Sequence, residues 1–107
     1  MTIKDLEKAL KVVKGQYKDY KFGEYFDFEY EDEETHDQFQ VYIKYNFQKE
    51  KFELNCSCYH AGYDNNAENP DKHTEEETWH FNSLQDLFDS LGERCQKEFN
   101  KELERWN

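Results

Sequence analysis

Apolar residues near the start of the chain recur at steps of three and four. They are Ile3, Leu6, Leu10, Val13, Tyr17 and Tyr20. This spacing is typical of one face of an α-helix, and Thr2 followed three positions later by Asp5 resembles a capping box. The pattern predicts an amphipathic helix over residues 2–20.

From residue 22 the apolar positions alternate with polar ones, which is typical of half-buried strands. Three such runs are separated by the acidic segment 31–37 and by QKEK at 48–51. Their apolar-side positions are Phe26, Phe28 and Tyr30, then Phe39, Val41, Ile43, Tyr45 and Phe47, then Phe52, Leu54, Cys56, Cys58 and His60. We expect a three-stranded antiparallel meander, with a short fourth strand at TWHF (78–81) after a loop over 61–77.

A second helical stripe runs to the end of the chain. Its members are Leu84, Leu87, Phe88, Leu91, Cys95, Phe99, Leu103 and Trp106. Asn82 or Ser83 can cap this helix, and Gly92 is expected to weaken it without ending it. The predicted fold is α+β, one domain over 1–107, with an N-terminal helix, a three- or four-stranded antiparallel meander and a C-terminal helix. Both helices are expected on one face of the sheet.

A sheet covered by helices on one side leaves its other side open to solvent. Keeping the apolar positions on the covered side sets the cross-strand pairs. The expected pairs are Phe28 with Val41 and Asp27 with Tyr42 in the first hairpin, and Ile43 with Cys56 and Tyr42 with Ser57 in the second. This register places Tyr25, Tyr42 and Tyr59 on a diagonal of the open side, with carboxylates toward the 31–37 turn.

The net charge changes the range of plausible partners. The chain carries a formal charge of −11, and its segment FEYEDEETHD (28–37) holds six acids without a lysine or arginine. Binding to a nucleic-acid backbone depends on Lys and Arg displacing counterions, so this charge argues against direct nucleic-acid binding. A basic protein is the expected partner, and simple solubility is the alternative explanation.

The basic residues gather at the opposite end of the sequence. On the predicted first helix, one arc would carry Lys4, Lys8, Lys11, Lys14, Lys18 and Lys21. The element order is also that of double-stranded RNA-binding domains, but the last helix lacks the basic start at which that family binds phosphate. We expect these lysines to pair with Glu98 and Glu102 or to remain solvated.

Candidate chemistry centres on NCSCYH (55–60). Cys56, Cys58 and His60 share one strand side, and His73 or His80 could complete a tetrahedral zinc site. The cysteines continue an apolar stripe, however, so we interpret them as core thiols and expect no metal. Because no third group is visible to orient the imidazole, a Cys–His nucleophile is also disfavoured.

Nucleotide and calcium sites are not expected either. The chain has four glycines and no Gly-rich phosphate-binding loop. Asp64, Asn66, Glu68 and Glu75 match positions of a calcium loop, but Asn69 stands where glycine is needed. The sequence therefore predicts a protein that is not an enzyme and has no cofactor.

Compartment is indicated by cysteine usage and hydropathy. Three cysteines are unlike the dense, even sets of small secreted domains, so reduced thiols are expected. MTIKDLEKAL lacks the apolar core of a signal peptide, and no stretch is long enough to span a bilayer. These features predict a soluble, cytoplasmic protein.

The leading functional hypothesis is a small acidic binding module that docks on a basic surface, such as the nucleic-acid site of a nuclease. Immunity proteins and anti-CRISPR proteins are similar in being small, acidic and α+β. The expected partner-binding residues are Tyr25, Asp27, Glu29, Glu31, Asp32, Glu33, Glu34, Asp37, Tyr42 and Tyr59. A symmetric homo-oligomer that buries the tyrosine face is the alternative, and a metal-binding protein using Cys56, Cys58 and His60 is less favoured.

Overall fold

The α+β architecture is confirmed by a computed structural model that describes residues 1–17, 20–60 and 74–106. Its elements are α1 (Ile3–Leu10), β1 (Gly15–Tyr17), β2 (Tyr20–Phe22), β3 (Phe26–Glu31), β4 (Gln38–Asn46), β5 (Lys51–Tyr59), β6 (Thr74–Phe81), α2 (Leu84–Ser90) and α3 (Glu93–Arg105). The last four strands form one antiparallel sheet in the order β3-β4-β5-β6, and the first two form a separate hairpin.

The core lies between this sheet and the helices. Its fully or almost fully buried residues are Leu6, Leu10, Phe26, Val41, Ile43, Phe52, Leu54, Leu84, Leu87, Phe99 and Leu103. Each helix contributes two leucines or a Phe–Leu pair, and each strand from β3 to β5 contributes one or two of its inward residues. One aromatic ring is central, because Phe26 packs 4.8 Å from the ring of Phe99 and 5.4 Å from that of Trp106.

The first helix is much shorter than the predicted span of 2–20. Its capping box is present, with Thr2 Oγ1 accepting from the Asp5 amide at 3.1 Å, but α1 ends at Leu10. Val12 and Val13 are β-branched and roughly half-exposed, and Gly15 is a poor helix former. Low helix propensity and little burial therefore favour the end of the helix before these residues. The chain instead turns into the β1–β2 hairpin.

The C-terminal helix is two helices, because the helix breaks at Leu91 and Gly92, where only a weakening at Gly92 was expected. Ser83 caps α2 by accepting from the Asp86 amide at 3.1 Å. Leu91 adopts an extended backbone and Gly92 becomes the N-cap of α3. The apolar stripe runs through the break because both helices pack on the same side of the sheet.

The register of the first hairpin is confirmed, and that of the second was wrong by two residues. Strand β4 pairs with β5 as Ile43 with Leu54 and Tyr42 with Asn55. The cause is the loop: Asn46 Oδ1 accepts from the amides of Gln48 and Lys49 at 3.1 and 3.0 Å. This Asx turn makes the connection span residues 47–50 instead of the expected 48–51, and moving a loop by one residue shifts the strand register by two.

The fourth strand is longer than the predicted 78–81. It begins at Thr74 and pairs with β5 over its whole length. Glu75, which matches one position of the calcium-loop pattern, lies in a strand, while Asp64, Asn66, Glu68, Asn69 and His73 lie outside the described residues. Of the helices that the structure describes, none has the length and apolar character required to cross a bilayer.

The return of the chain toward the first helix depends on Gly23. A Cβ atom built on Gly23 would lie 2.4 Å from the Leu10 carbonyl oxygen and 3.0 Å from that of Val12. We predict that Gly23→Ala lowers the free energy of unfolding by about 1–3 kcal/mol, since backbone cannot give way as a flexible side chain would. Urea denaturation would measure the loss.

Gly92→Ala is the matched control. Its added methyl meets no heavy atom within 4 Å, and only the N-cap preference for glycine is at stake. A change below about 1 kcal/mol is expected. Equal losses at the two glycines would contradict the close approach inferred at Gly23.

Candidate functional site

One side of the four-stranded sheet faces away from the helices. Successive side chains of a strand point to opposite sides, so the polar positions that alternate with the core residues share this side. We call it the open face; it carries Asp27, Glu29, Glu31, Gln38, Gln40, Tyr42, Lys44, Glu53, Asn55, Ser57, Tyr59, Glu76, Thr78 and His80.

Pairing arranges the open face in rows that cross the strands. The row with Lys44, Glu53 and His80 contains both signs of charge. The next three rows contain four acids and no lysine or arginine. We call these three rows the acidic end; its carboxylates are Asp27, Glu29, Glu31 and Glu76.

Glu53 organises the mixed-charge row. Its carboxylate lies 2.9 Å from His80 Nε2 and 3.2 Å from Lys44 Nζ, and it accepts from Asn55 Nδ2 at 3.1 Å and from Asn46 Nδ2 at 3.3 Å. Burial opposes ionisation, but the hydrogen bonds from Asn55, His80 and Asn46 and the contact with Lys44 outweigh it. Together they lower the pKa of Glu53 to about 2. This row is internally neutralised and resembles a structural network more than a docking site.

The acidic turn between β3 and β4 is divided between structural and exposed carboxylates. Asp32 Oδ1 accepts from the amides of Glu34 and Thr35 at 2.8 and 2.9 Å, and these bonds lower the pKa of Asp32. His36 adopts φ 63° to complete the turn. Glu33, by contrast, is exposed and 3.6 Å from Arg94 of α3. Asp32 therefore stabilises the turn, and we remove it from the residues expected to bind a partner.

Asp37, at the end of the same turn, contacts the C-terminal end of β5. Its Oδ2 lies 3.4 Å from His60 Nδ1, and only 20% of its side chain is exposed. Glu34 is exposed, as is most of Glu31, whose carboxylate lies 3.8 Å from His36. Among the turn acids, Glu31, Glu33 and Glu34 thus remain accessible to a partner.

The three predicted anchor tyrosines are exposed but farther apart than expected. Tyr25, Tyr42 and Tyr59 are 49%, 38% and 45% exposed. Tyr59 is two rows beyond Tyr42 rather than one, about 13 Å along the strands. Tyr25 lies at the mixed-charge end, with Lys44 Nζ 5.6 Å from its ring centre. Tyr42 and Tyr59 accordingly belong to the acidic end, and Tyr25 does not.

Sequence reasoning missed Glu76 as a member of this face. In TEEETWHF both alternate sets of positions are polar until Trp79, so no periodicity marks where the strand begins. Only the pairing of β6 with β5 places Glu76 opposite Ser57, in the same row as Glu29 and Gln40.

A groove of about 400 Å³ follows the edge of β3 between the open face and α3. Asp27, Glu29 and Tyr42 line it from the sheet, and Lys101 and Arg105 line it from the helix. These cations have acidic neighbours on their own helix: Lys101 lies 3.5 Å from Glu98, and Arg105 lies 3.5 Å from Glu102. The groove therefore has an acidic wall and a neutralised wall.

The lysines of the N-terminal region do not form the predicted arc, because α1 ends at Leu10. Lys11 lies 3.9 Å from Glu7, and Lys14 lies 2.7 Å from Glu24. Of the two expected alternatives, pairing with Glu98 and Glu102 was wrong: in the described part of the chain, those acids contact basic residues of α3 itself. The other alternative fits the structure, in which the exposed lysines are Lys4, Lys8, Lys11, Lys14 and Lys21, while Lys18 lies outside the described residues.

The thiols lie on the helix-facing side of the sheet. Burial raises the pKa of Cys56 and, to about 11, that of Cys95. Burial and the charges of Asp37 and Glu75 raise the pKa of Cys58. A raised pKa keeps each thiol protonated, which is unfavourable for a nucleophile.

The geometry corrects one expectation about His60. The sequence showed no third group to orient its imidazole, yet Asp37 and Glu75 both approach it, at 3.4 and 3.5 Å. His80 lies on the open face with Glu53, so it cannot complete a site with Cys58. His73 is outside the described residues.

The chain has no significant match among protein-family models, curated proteins or solved structures. A functional proposal therefore depends on the surfaces described above.

The Glu53 network predicts a specific pH dependence. Because the pKa of Glu53 is lower in the folded chain than in the unfolded one, its stabilising contribution is present above about pH 4.5 and is lost as the pH falls toward about 2. The difference in unfolding free energy between wild type and Glu53→Gln should therefore shrink across that window. Urea denaturation at several pH values would measure it.

Glu76→Gln provides the control, since Glu76 is exposed on the same face. This variant should stay within about 0.5 kcal/mol of wild type. A Glu53→Gln deficit that is constant between pH 6 and pH 2 would contradict the assigned network.

Proposed function

We propose that this protein is a non-enzymatic acidic binding module that docks on a basic surface of another protein. The observation that carries the proposal is the acidic end of the open face. There, four carboxylates and two exposed tyrosines share three rows that contain no lysine or arginine. None of the helices that the structure describes covers this side of the sheet, and the side chains of Asp27, Glu29, Glu31 and Glu76 are exposed.

The regular spacing of these acids suits a surface that normally binds a polyanion. Asp27, Glu29 and Glu31 follow one another at every second position of β3, about 7 Å apart. A nucleic-acid strand also presents single negative charges at regular intervals. A nuclease or another nucleic-acid-handling protein is therefore the proposed class of partner, blocked by charge mimicry.

The two residue types would contribute differently to binding. Carboxylates accept bidentate hydrogen bonds from arginine, which fixes orientation and speeds association. Tyr42 and Tyr59 offer rigid area that becomes buried on docking, and tyrosines often contribute strongly to interface affinity. Glu33 and Glu34 extend the same charge at the neighbouring turn.

The homo-oligomer alternative is weaker on electrostatic grounds. A twofold contact through this face would set the acidic end of one copy against that of another, or against the tyrosines between its charges. Like charges brought together without counter-charges oppose such an interface.

Charge reversal of the acidic end tests the proposal. We predict that Asp27→Lys, Glu29→Lys, Glu31→Lys and Glu76→Lys, combined in one variant, abolish low-salt capture of basic partners from a lysate of the native cell. Wild-type capture should decline steadily as salt is raised, because screening weakens long-range attraction. Each captured protein, once purified, should lose nucleic-acid binding when the wild-type chain is added.

A second variant separates the position of the charge from its amount. Asp86→Lys, Asp89→Lys, Glu93→Lys and Glu104→Lys change four exposed acids on the helices, giving the same net charge. This variant should retain capture and inhibition. Equal loss in both variants would show that only overall acidity matters and would refute docking through the open face.

The tyrosine contribution can be tested on a captured partner. Tyr42→Ala is expected to weaken binding at least about tenfold, mainly through faster dissociation, because it removes buried area rather than charge. Trp79→Ala is the control: Trp79 is similarly exposed, at 41%, but points to the other side of the sheet. Surface plasmon resonance would measure the dissociation rate of each variant from the partner. A larger effect of Trp79→Ala would place the interface on the helix-facing side of the sheet and contradict the proposal.

A further inference from the structure

Strand pairing brings three different metal-ligating side chains together at the far end of the helix-facing side. Gln38 pairs with Tyr59, so Asp37 and His60 come next to each other just beyond this pair. Cys58 precedes His60 by two positions and therefore points to the same side. In the described part of the chain, these three side chains form the one such group whose ligand atoms all lie within 4.8 Å of one another.

The distances suit a single tetrahedral ion. His60 Nδ1 lies 3.4 Å from Asp37 Oδ2 and 3.9 Å from Cys58 Sγ. Zinc bonds of about 2.0–2.3 Å at tetrahedral angles hold neighbouring ligand atoms roughly 3.3–3.7 Å apart. The third pair of ligand atoms, on Asp37 and Cys58, lies within 4.8 Å. Side-chain rotations that close this gap would bring all three atoms into contact with one ion.

The second nitrogen of the imidazole also fits a metal site. His60 Nε2 lies 3.5 Å from Glu75 Oε2, and Glu75 is opposite Cys58 on β6. The two ring nitrogens point away from each other, so Glu75 cannot share an ion with Nδ1. It can instead accept a hydrogen bond from Nε2–H, which is how carboxylates usually orient metal-binding histidines.

The donor set identifies the class of metal. One sulfur, one nitrogen and one oxygen suit zinc, whereas calcium and magnesium prefer oxygen ligands alone. Partial burial favours a defined site, since the side chains of His60 and Asp37 are 28% and 20% exposed. We propose that Asp37, Cys58 and His60 bind one Zn²⁺ ion, with Glu75 holding the imidazole in its ligating orientation.

Binding would convert the Cys58 thiol to a thiolate, with its proton released to solvent. Three protein ligands leave a fourth tetrahedral position for a further donor such as water. The ion would link the end of the acidic turn to β5. The inference is independent of the proposed docking surface, which lies on the other side of the sheet.

Zinc affinity of the full chain provides the test. The chain, reduced and freed of metal by a chelator, is titrated with Zn²⁺ in competition with a chromogenic chelator. One ion per chain is expected for wild type. Cys58→Ser and His60→Gln should each lower affinity by more than about 100-fold, and Glu75→Gln by about 10- to 100-fold. Cys56→Ser, which changes a thiol on the same side, should bind as wild type does.

Cobalt gives a spectroscopic check of the sulfur ligand. Co²⁺ should produce a thiolate charge-transfer band in wild type and in Cys56→Ser, and none in Cys58→Ser. Undiminished zinc affinity in Cys58→Ser would overturn the proposal, as would the absence of stoichiometric binding to wild type. Circular dichroism of each metal-free variant should match that of the metal-free wild type, which shows that loss of zinc binding does not result from unfolding.

A measurement on wild type alone keeps the test independent of variant folding. Saturating Zn²⁺ should slow alkylation of Cys58 at least about tenfold relative to metal-free protein, because a coordinated thiolate is no longer available. Fragment mass spectrometry can follow Cys56 in the same experiment as an internal reference. Equal alkylation rates of Cys58 with and without zinc would overturn the assignment.

Discussion

The pairing of β4 with β5 is the constraint on which both surfaces of this sheet depend. Asn46 sets it, because its side chain accepts hydrogen bonds from two amides of the connecting loop and so starts that loop at Phe47, one residue earlier than in the register shifted by two. A register shifted by two would leave every residue on its own side of the sheet. It would nevertheless pair His60 with Phe39, away from Asp37, and it would place Tyr59 in the row next to Tyr42.

The helices cover one side of the sheet, which separates the apolar residues from the charged ones. The helices bury the apolar side around Phe26, where Phe99 and Trp106 pack against it. On the open face, one row neutralises itself around Glu53, and the acidic end does not. Net charge alone gives no distribution of charge, whereas the strand pairing places the unneutralised carboxylates of the open face in three adjacent rows.

The turn between β3 and β4 connects the two sides. The Asp32 side chain accepts hydrogen bonds from two backbone amides of the turn. The Asp37 side chain contacts His60 on the helix-facing side of the sheet. The acids between them point outward, with Glu33 near Arg94. Acids that look equivalent in the sequence therefore have three different roles: shaping the turn, contacting an imidazole, and presenting charge to solvent.

The sequence by itself determined the fold class, the side of the sheet on which each residue of β3, β4 and β5 lies, and the register of the first hairpin. The sides follow from local periodicity, which is clear in the alternation from Phe26 to Tyr30 and from Phe39 to Tyr45, whereas the first register also depends on the length of the acidic turn between these runs. The residue types at Gly92 and Asn46 could also have located the helix break and the Asx turn. The pattern of apolar positions, however, contains no information about such backbone features. Only the tertiary structure decided that Glu76 joins Glu29 in one row and that Asp37, Cys58 and His60 meet. Those neighbours come from strands distant in sequence, and side-chain periodicity is unchanged by a two-residue shift.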